Sequence, residues 1–198
     1  MKIVIVGWGS LIWDPRDLPL ERTWQNGGPN LPIEFSQVSQ DCRLTLVIDY
    51  ENGVVVPTQL IHSPRVNLGE AIKDLRLREG TIRKRIGFVD LRHGKDSTVN
   101  YSDAERDSKD YLDRQRACSD VSTWLSGTDY NAAVRTALTS NFKSEVDHDY
   151  SVDAALEYLW SLPKSAMERA IKYISNAPAF INTPLLRRLI EIQFIKDR

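Results

Sequence analysis

The first residues that could do chemistry lie in a glycine-containing turn near the N-terminus. Residues 2–6 form a short apolar, β-branched run that predicts a strand, and the sequence Gly-Trp-Gly-Ser follows at residues 7–10. Glycines after a strand let backbone N–H groups approach a bound ligand, because no Cβ atoms stand in the way. The turn is therefore a candidate ligand-binding segment. The alternative is a tight structural turn that places Trp8 and Trp13 in the core.

A strand followed by Gly-x-Gly also begins the dinucleotide-binding motif, but two parts of that motif are missing here. Ile12 occupies the third-glycine position, and Asp14, Pro15 and Pro19 interrupt the chain where the motif needs a helix. At Asp147–Asp149, the Asp-His-Asp cluster is more typical of a hydrated loop than of a metal site, since no further ligand is spaced to complete it. The sequence thus predicts no organic cofactor and no metal.

The second candidate for chemistry depends on a predicted helix in the middle of the chain. Asn67 can cap its start, and Gly80 can end it in the left-handed conformation. Apolar residues recur between these ends at Leu68, Ile72 and Leu75, with spacings of four and three. This pattern predicts an amphipathic helix with one buried face.

Glu79 is the next member of that apolar series, so the pattern places a carboxylate on the buried face at the end of the helix. Partial desolvation and the negative end of the helix dipole both disfavour the ionised carboxylate there. Such a carboxyl suits a proton-transfer group. In the alternative interpretation, Glu79 is a structural or solvated ion-pair partner of Arg76, Arg83 or Arg85.

The elements that must position these residues divide into a β-rich first half and a helical last quarter. Alternating or β-branched segments at 32–39, 43–48 and 54–61 predict an antiparallel meander, and further strands are predicted at 85–91 and 131–138. The sequence therefore predicts one α+β domain spanning residues 1–198.

Helices are expected at 107–125 and from Ser151 onward. Ser165 and Glu168 have the spacing of a capping box, and Thr183 followed by Pro184 is typical of a helix start. These signals predict helices that begin at both positions in the last quarter of the chain.

Composition restricts the classes of function. The chain has 198 residues, 41% hydrophobic content and a formal net charge of −1, with basic and acidic residues interspersed. We therefore expect no nucleic-acid partner, and no apolar run approaches transmembrane length, so we expect no membrane association. Without a recognisable secretory signal, a cytoplasmic location is expected, in which Cys42 and Cys118 are free thiols. The sequence does not indicate an oligomeric state.

Together, these motifs resemble a known family. Residues 7–13, Gly-Trp-Gly-Ser-Leu-Ile-Trp, resemble the Tyr-Gly-Ser-Leu-hydrophobic-Trp signature of the γ-glutamylcyclotransferase-like proteins, in particular the ChaC-type branch. Residues 75–79, Leu-Arg-Leu-Arg-Glu, resemble the Leu-x-x-Arg-Glu motif of that branch, whose glutamate is the catalytic acid/base. Residues 173–174 and 183–185 are similar to its C-terminal helices.

The resemblance implies a small closed β-barrel, antiparallel or mixed, flanked by helices, with Glu79 as the catalytic proton acceptor. It implies a small-molecule substrate, a γ-glutamyl amide or peptide, that is cyclised to 5-oxoproline with release of an amine or amino acid. The substrate-binding residues would be Trp8, Gly9, Ser10, Leu11, Ile12 and Trp13.

This chain departs from the family signature at Trp8, where the family usually has tyrosine. An indole N–H can donate a hydrogen bond but cannot accept one, unlike a phenol. A second hypothesis is therefore a small-molecule-binding module that keeps the fold without turnover. A third is an enzyme of the same kind that acts on a γ-glutamylamine.

Overall fold

Two compact units make up the chain in the structure, a computed structural model that describes residues 1–192 and 194. The first unit contains residues 1–7, 14–31 and 57–138, and the second contains residues 8–13, 32–56 and the chain from residue 139 onward. The chain thus passes between the units several times. The single domain over residues 1–198 stays a prediction, and residues 193 and 195–198 lie outside the described part.

The described chain is α+β, as the sequence predicts. Its strands are β1 (Ile3–Gly7), β2 (Gln25–Asn26), β3 (Leu31–Val38), β4 (Leu44–Ile48), β5 (Val54–Val56), β6 (Gln59–His62), β7 (Ile86–Asp90), β8 (Lys95–Asp96) and β9 (Ala132–Thr136). Its α-helices are α1 (Ser10–Trp13), α2 (Leu68–Glu79), α3 (Lys109–Leu125), α4 (Phe142–Val146), α5 (Val152–Ser161), α6 (Lys164–Ser175) and α7 (Pro184–Glu191). Short 3₁₀ helices cover Arg83–Arg85, Ser97–Asn100 and Asp103–Glu105.

A six-stranded mixed sheet forms the first unit, in the order β2-β6-β1-β9-β7-β8. All five residues of β1 are buried, which suits a strand with neighbours on both sides. It runs parallel to β9, with Ile3 opposite Ala132, and antiparallel to β6, with Val4 opposite His62. Parallel pairing places the carboxyl ends of β1 and β9 at the same edge of the sheet, where Gly7 is located.

Helices α2 and α3 both contact β7 and β9 of this sheet. Ile72 and Leu75 of α2 are buried, as are Val121 and Leu125 of α3, so each helix directs an apolar face inward. The end of α2 is thereby held at a fixed place in the first unit.

The second unit contains a three-stranded sheet in the order β4-β3-β5, and the helices α1 and α4 to α7. Strands β3 and β4 are antiparallel, with Ile33 opposite Ile48, and their register shifts between Glu34 and Gln37. Helix α6 contacts β4, and α5 contacts α6 and α7. The buried residues of this unit include Phe35, Leu44, Phe142, Leu159, Ile174, Leu185 and Leu189.

The strand predicted at 54–61 is divided in the structure. Val54–Val56 belongs to the three-stranded sheet, whereas Gln59–His62 pairs with β1 in the six-stranded sheet. Pro57 lies between them, and proline has no N–H to continue a ladder. The predicted meander is also wrong, because β3 lies between β4 and β5. Alternating residues indicate a strand, but they do not specify its neighbour.

The closed β-barrel implied by the resemblance is not found in the described part of the chain. The strands there form two separate sheets, each with two edge strands: β2 and β8 in one, β4 and β5 in the other. Among the described helices, none has both the length and the apolar character that crossing a membrane requires.

The helix starts near the C-terminus are predicted with mixed success. Thr183 caps α7, and Pro184 is its first residue, as predicted. The capping box at Ser165 and Glu168 is wrong, since α6 begins at Lys164 and Pro163 occupies the N-cap position. Proline's fixed φ favours a helix start, which leaves Ser165 inside the first turn.

Candidate functional site

Glu79 is the last residue of α2, at the position that the sequence predicts. The Asn67 side chain caps the helix by accepting hydrogen bonds from the backbone N–H groups of Gly69 at 2.8 Å and Glu70 at 3.3 Å. Gly80 ends the helix with a φ of 60°, in the left-handed region. The Glu79 side chain is 16% exposed, so its carboxylate is largely buried at the negative end of the helix dipole.

Arg78 holds that carboxylate. Its Nη1 donates to Glu79 Oε1 at 2.5 Å, and the arginine side chain is only 3% exposed. The ion pair that the alternative interpretation anticipates thus exists, but its partner is Arg78 rather than Arg76, Arg83 or Arg85.

Arg78 also connects α2 to the chain that follows Trp13. Its Nη2 donates to the backbone carbonyl of Asp14, and Arg16 Nη1 donates to the Arg78 carbonyl at 3.0 Å. These two hydrogen bonds join segments more than sixty residues apart, and both segments belong to the first unit. Arg16 itself is exposed and pairs with the Asp14 carboxylate at 3.4 Å.

Sequence reasoning missed Arg78 because neighbouring residues on a helix do not face each other. A signal was nevertheless present. Ala71, Leu75 and Arg78 follow spacings of four and three, and all three are buried. A charged residue that continues such an apolar series predicts a buried charge that needs a partner.

The Trp8–Trp13 segment belongs to the second unit, whereas Gly7, Asp14 and Glu79 belong to the first. Residues 10–13 form the short helix α1, whose Ile12 N–H donates to the Gly9 carbonyl at 2.9 Å. Trp8, Gly9 and Leu11 are buried, and Ser10, Ile12 and Trp13 are half-buried. The half-buried residues are the better placed of the six to contact a ligand.

Trp8 has a structural role in the second unit. Its side chain is almost fully buried, and its indole Nε1 donates to the Leu46 carbonyl at 3.3 Å. The indole N–H of Trp8 is therefore already hydrogen-bonded to the backbone.

Tyr173 packs against the rest of the segment. Its ring contacts Trp13 edge-on, with centroids 5.4 Å apart, and the Arg43 guanidinium lies 5.1 Å from the Tyr173 ring centroid. A Cβ added at Gly9 would lie 3.4 Å from the Tyr173 hydroxyl oxygen and 3.6 Å from Leu46 Cβ. Both distances are ordinary van der Waals contacts, so packing alone does not require a glycine at this position.

A buried carboxyl in the second unit is the other notable group, and sequence reasoning missed it. Glu34 lies in β3 with no exposed surface, and burial raises its pKa to about 7. The Phe35 N–H donates to Oε1 at 2.8 Å. Oε2 has no hydrogen bond of normal geometry, although Thr183, the Leu185 backbone and the Tyr150 hydroxyl are near enough to lower the pKa in part.

Other polar groups surround Glu34. Asp49 is buried nearby and accepts from Ser36 Oγ at 2.7 Å, and burial together with the charges of Glu34 and Asp49 raises the pKa of the Tyr150 hydroxyl. Glu34 interrupts an otherwise apolar run, Leu31–Phe35, which was the available signal in the sequence.

Among the described residues, no group of three or more histidine, cysteine or acidic side chains is arranged to hold a metal ion. Asp149 of the Asp-His-Asp cluster instead pairs with Lys143, with Nζ and Oδ1 2.7 Å apart.

Comparison with protein-family models, curated proteins and solved structures gives no significant match to any of the three.

Proposed function

We propose that this chain is a γ-glutamylcyclotransferase-like enzyme with Glu79 as its general acid/base. The observation that carries the proposal is the geometry of Glu79: a largely buried carboxylate at the end of α2, fixed by a buried arginine. A solvated surface charge would have neither feature, whereas a structural ion pair would have both, so the variant below must separate that alternative from the enzyme. The resemblance of residues 7–13 and 75–79 to the family motifs gives the proposal its substrate class.

The proposed substrate carries its own nucleophile. The α-amino nitrogen of a γ-glutamyl amide attacks the γ-carbonyl carbon, which forms the C–N bond of the five-membered 5-oxoproline ring. The original amide C–N bond breaks, and the amine leaves. No water is consumed, and no serine or cysteine nucleophile is needed, because the intramolecular attack already has the advantage of proximity.

Glu79 moves one proton in this scheme. Its carboxylate takes the proton that the attacking nitrogen loses and returns it to the departing nitrogen, so that the amine leaves as a neutral group. In the proposal, backbone N–H groups near Gly9 and Ser10 hold the substrate's carboxylate or carbonyl oxygens, and the other residues of the Trp8–Trp13 segment contact the substrate. The proposal rests on these residues and not on a closed barrel.

The competing hypothesis is a small-molecule-binding module without turnover. The Trp8 indole favours it to the extent that its N–H already donates to the Leu46 carbonyl and cannot serve as the family phenol does. The Glu79 carboxylate favours the enzyme, since a binding module has no need of a proton acceptor on the inner face of α2.

The experiment that separates these hypotheses is incubation with a panel of γ-glutamyl compounds. The panel contains glutathione, γ-glutamyl amino acids and γ-glutamylamines, and the readout is 5-oxoproline with the released amine. We expect one class of substrate to give both products in equal amounts. Binding of panel members without product from any of them would support the binding module.

Glu79→Gln is the variant that tests the residue assignment, and Glu70→Gln is its matched control. Glu70 is an exposed residue in the first turn of the same helix, so this control removes the same charge from α2 away from the proposed site. We expect Glu79→Gln alone to lose product formation.

A further inference from the structure

The Arg78 guanidinium contacts both Glu79 and Asp14. Nη1 donates to the Glu79 carboxylate, and Nη2 donates to the Asp14 carbonyl directly after Trp13. Adjacent residues on a helix point about 100° apart, so helical spacing alone does not bring these two side chains together. The Arg78 contact therefore gives the Glu79 carboxylate a defined partner.

Loss of these hydrogen bonds would destabilise the protein, because the Arg78 guanidinium is buried. A guanidinium that is 3% exposed has few water partners, so the protein itself must supply its hydrogen bonds. Arginine can serve two acceptors at once because its nitrogens form a planar fork. A lysine ammonium could keep the charge, but it would not reproduce this two-point geometry.

We propose that Arg78 is a positioning residue for Glu79: it holds the carboxylate in one orientation for proton transfer. The inference rests on the proposed function. A general base must lie within hydrogen-bond reach of the proton that it takes, so its orientation decides whether transfer can occur. A buried guanidinium bonded to the carboxylate supplies that orientation.

Other charged groups lie near the end of α2 in the first unit, but the Glu79 carboxylate contacts Arg78. Asp14 and Arg16 follow Trp13 and neutralise each other in an exposed pair. The residues Arg83–Arg85 lie in the 3₁₀ helix that contacts α2, but the Glu79 carboxylate is bonded to Arg78. Removal of the Arg78 charge should therefore be felt directly by Glu79.

Two substitutions separate the charge of Arg78 from its geometry. Arg78→Met removes the charge and keeps an apolar side chain of moderate length. Arg78→Lys keeps the charge but loses the planar guanidinium that can donate to two acceptors at once. Lys73→Met is the matched control, because Lys73 is an exposed basic residue on the same helix. For each variant, kcat and KM for 5-oxoproline formation are measured, beside a melting curve of the same preparation.

We expect kcat of Arg78→Met to fall roughly 10- to 100-fold, since a misplaced catalytic group costs rates of this order. Its KM should change much less than its kcat, because a residue that acts through Glu79 does not itself contact the substrate. Arg78→Lys should recover part of the kcat but not the full value. Lys73→Met should match the wild type in both kcat and KM.

A purely structural role for Arg78 predicts a different result. Melting temperatures would then fall, while kcat per folded molecule would stay at the wild-type value in both variants. That outcome would overturn the inference. If Arg78→Met is recovered only as aggregate, Arg78→Lys decides alone: wild-type kcat in the folded lysine variant would contradict a positioning role.

The same measurements distinguish failure of the inference from failure of the proposed function. A wild-type protein that forms no 5-oxoproline from any panel member contradicts the proposed function, and the inference falls with it. An active wild type with an equally active Glu79→Gln variant removes Glu79 from the reaction and also overturns the inference. Loss of activity in Glu79→Gln, with unchanged Arg78 variants, overturns the inference alone.

Discussion

The unfolding free energy of this protein should fall as the pH rises from 4.5 to 8, because Glu34 is buried without a charged partner. Its side chain has no exposed surface, and burial raises its pKa from the ordinary value of 4.5 to about 7. Between these two pH values the folded state holds a proton that the unfolded state has released. The stabilising contribution of Glu34 is therefore fully present below pH 4.5 and is lost as the pH rises through about 7.

The size of the effect follows from the same two values. Each unit of difference between the folded and unfolded pKa corresponds to about 1.4 kcal/mol. The contribution of Glu34 should therefore lower the unfolding free energy by about 3 kcal/mol at pH 8, relative to pH 4.5. Tyr150 stays protonated over this range, since its own pKa is raised, so the change is assigned to the carboxyl group.

The assay is urea unfolding, followed by circular dichroism, of the wild type and Glu34→Gln at pH 4.5, 6, 7 and 8. The amide cannot ionise, so the stability of the variant relative to the wild type should improve by about 3 kcal/mol across the range. Glu157→Gln is the control, because Glu157 is exposed on α5 of the same unit. A difference between Glu34→Gln and wild type that does not change with pH would refute the argument from burial.

Two further predictions concern the proposed reaction. Activity should survive exhaustive chelation, since the proposed cyclisation uses no metal; loss of turnover that a divalent ion restores would contradict it. Saturating 5-oxoproline should change the indole emission, and Trp13→Phe, which removes the half-buried ring beside Tyr173, should lose more of that change than Trp160→Phe. Trp160 is 52% exposed on α5, and an unchanged wild-type spectrum at saturation would count against the Trp8–Trp13 segment as a ligand contact.

The elements that could be predicted from the sequence are those with local causes. Asn67 and Gly80 delimit α2 through hydrogen bonds and a backbone conformation that involve only nearby residues. Thr183 and Pro184 mark the start of α7 in a similarly local way. The predicted strand at residues 85–91 includes the whole of β7, whereas the two-residue strands β2 and β8 have no such local signal and are not predicted.

Strand partners could not be predicted in the same way, because pairing joins residues far apart in the chain. Residues 54–61 have the composition of one strand, yet the two sides of Pro57 pair in different sheets. The resemblance suggested barrel closure, but closure depends on contacts between strand edges, about which a motif carries no information.

In the candidate site, too, features with local causes could be predicted and features that depend on distant residues could not. The position of Glu79 follows from helical periodicity, whereas its partner Arg78 is held by a hydrogen bond to the carbonyl of Asp14, a residue more than sixty positions away. The buried Glu34 carboxyl was missed because its raised pKa depends on burial in the second unit, which β3 alone does not determine.

The most direct test of the central claim is 5-oxoproline production by Glu79→Gln, measured beside its melting curve. Glutamine keeps an oxygen that can accept from Arg78 Nη1, so the variant should fold, but it cannot accept the substrate proton. We predict a loss of about 100-fold or more in kcat per folded molecule, with ligand binding largely retained. A destabilised variant whose folded fraction has wild-type kcat would contradict the claim and identify Glu79 as a structural partner of Arg78.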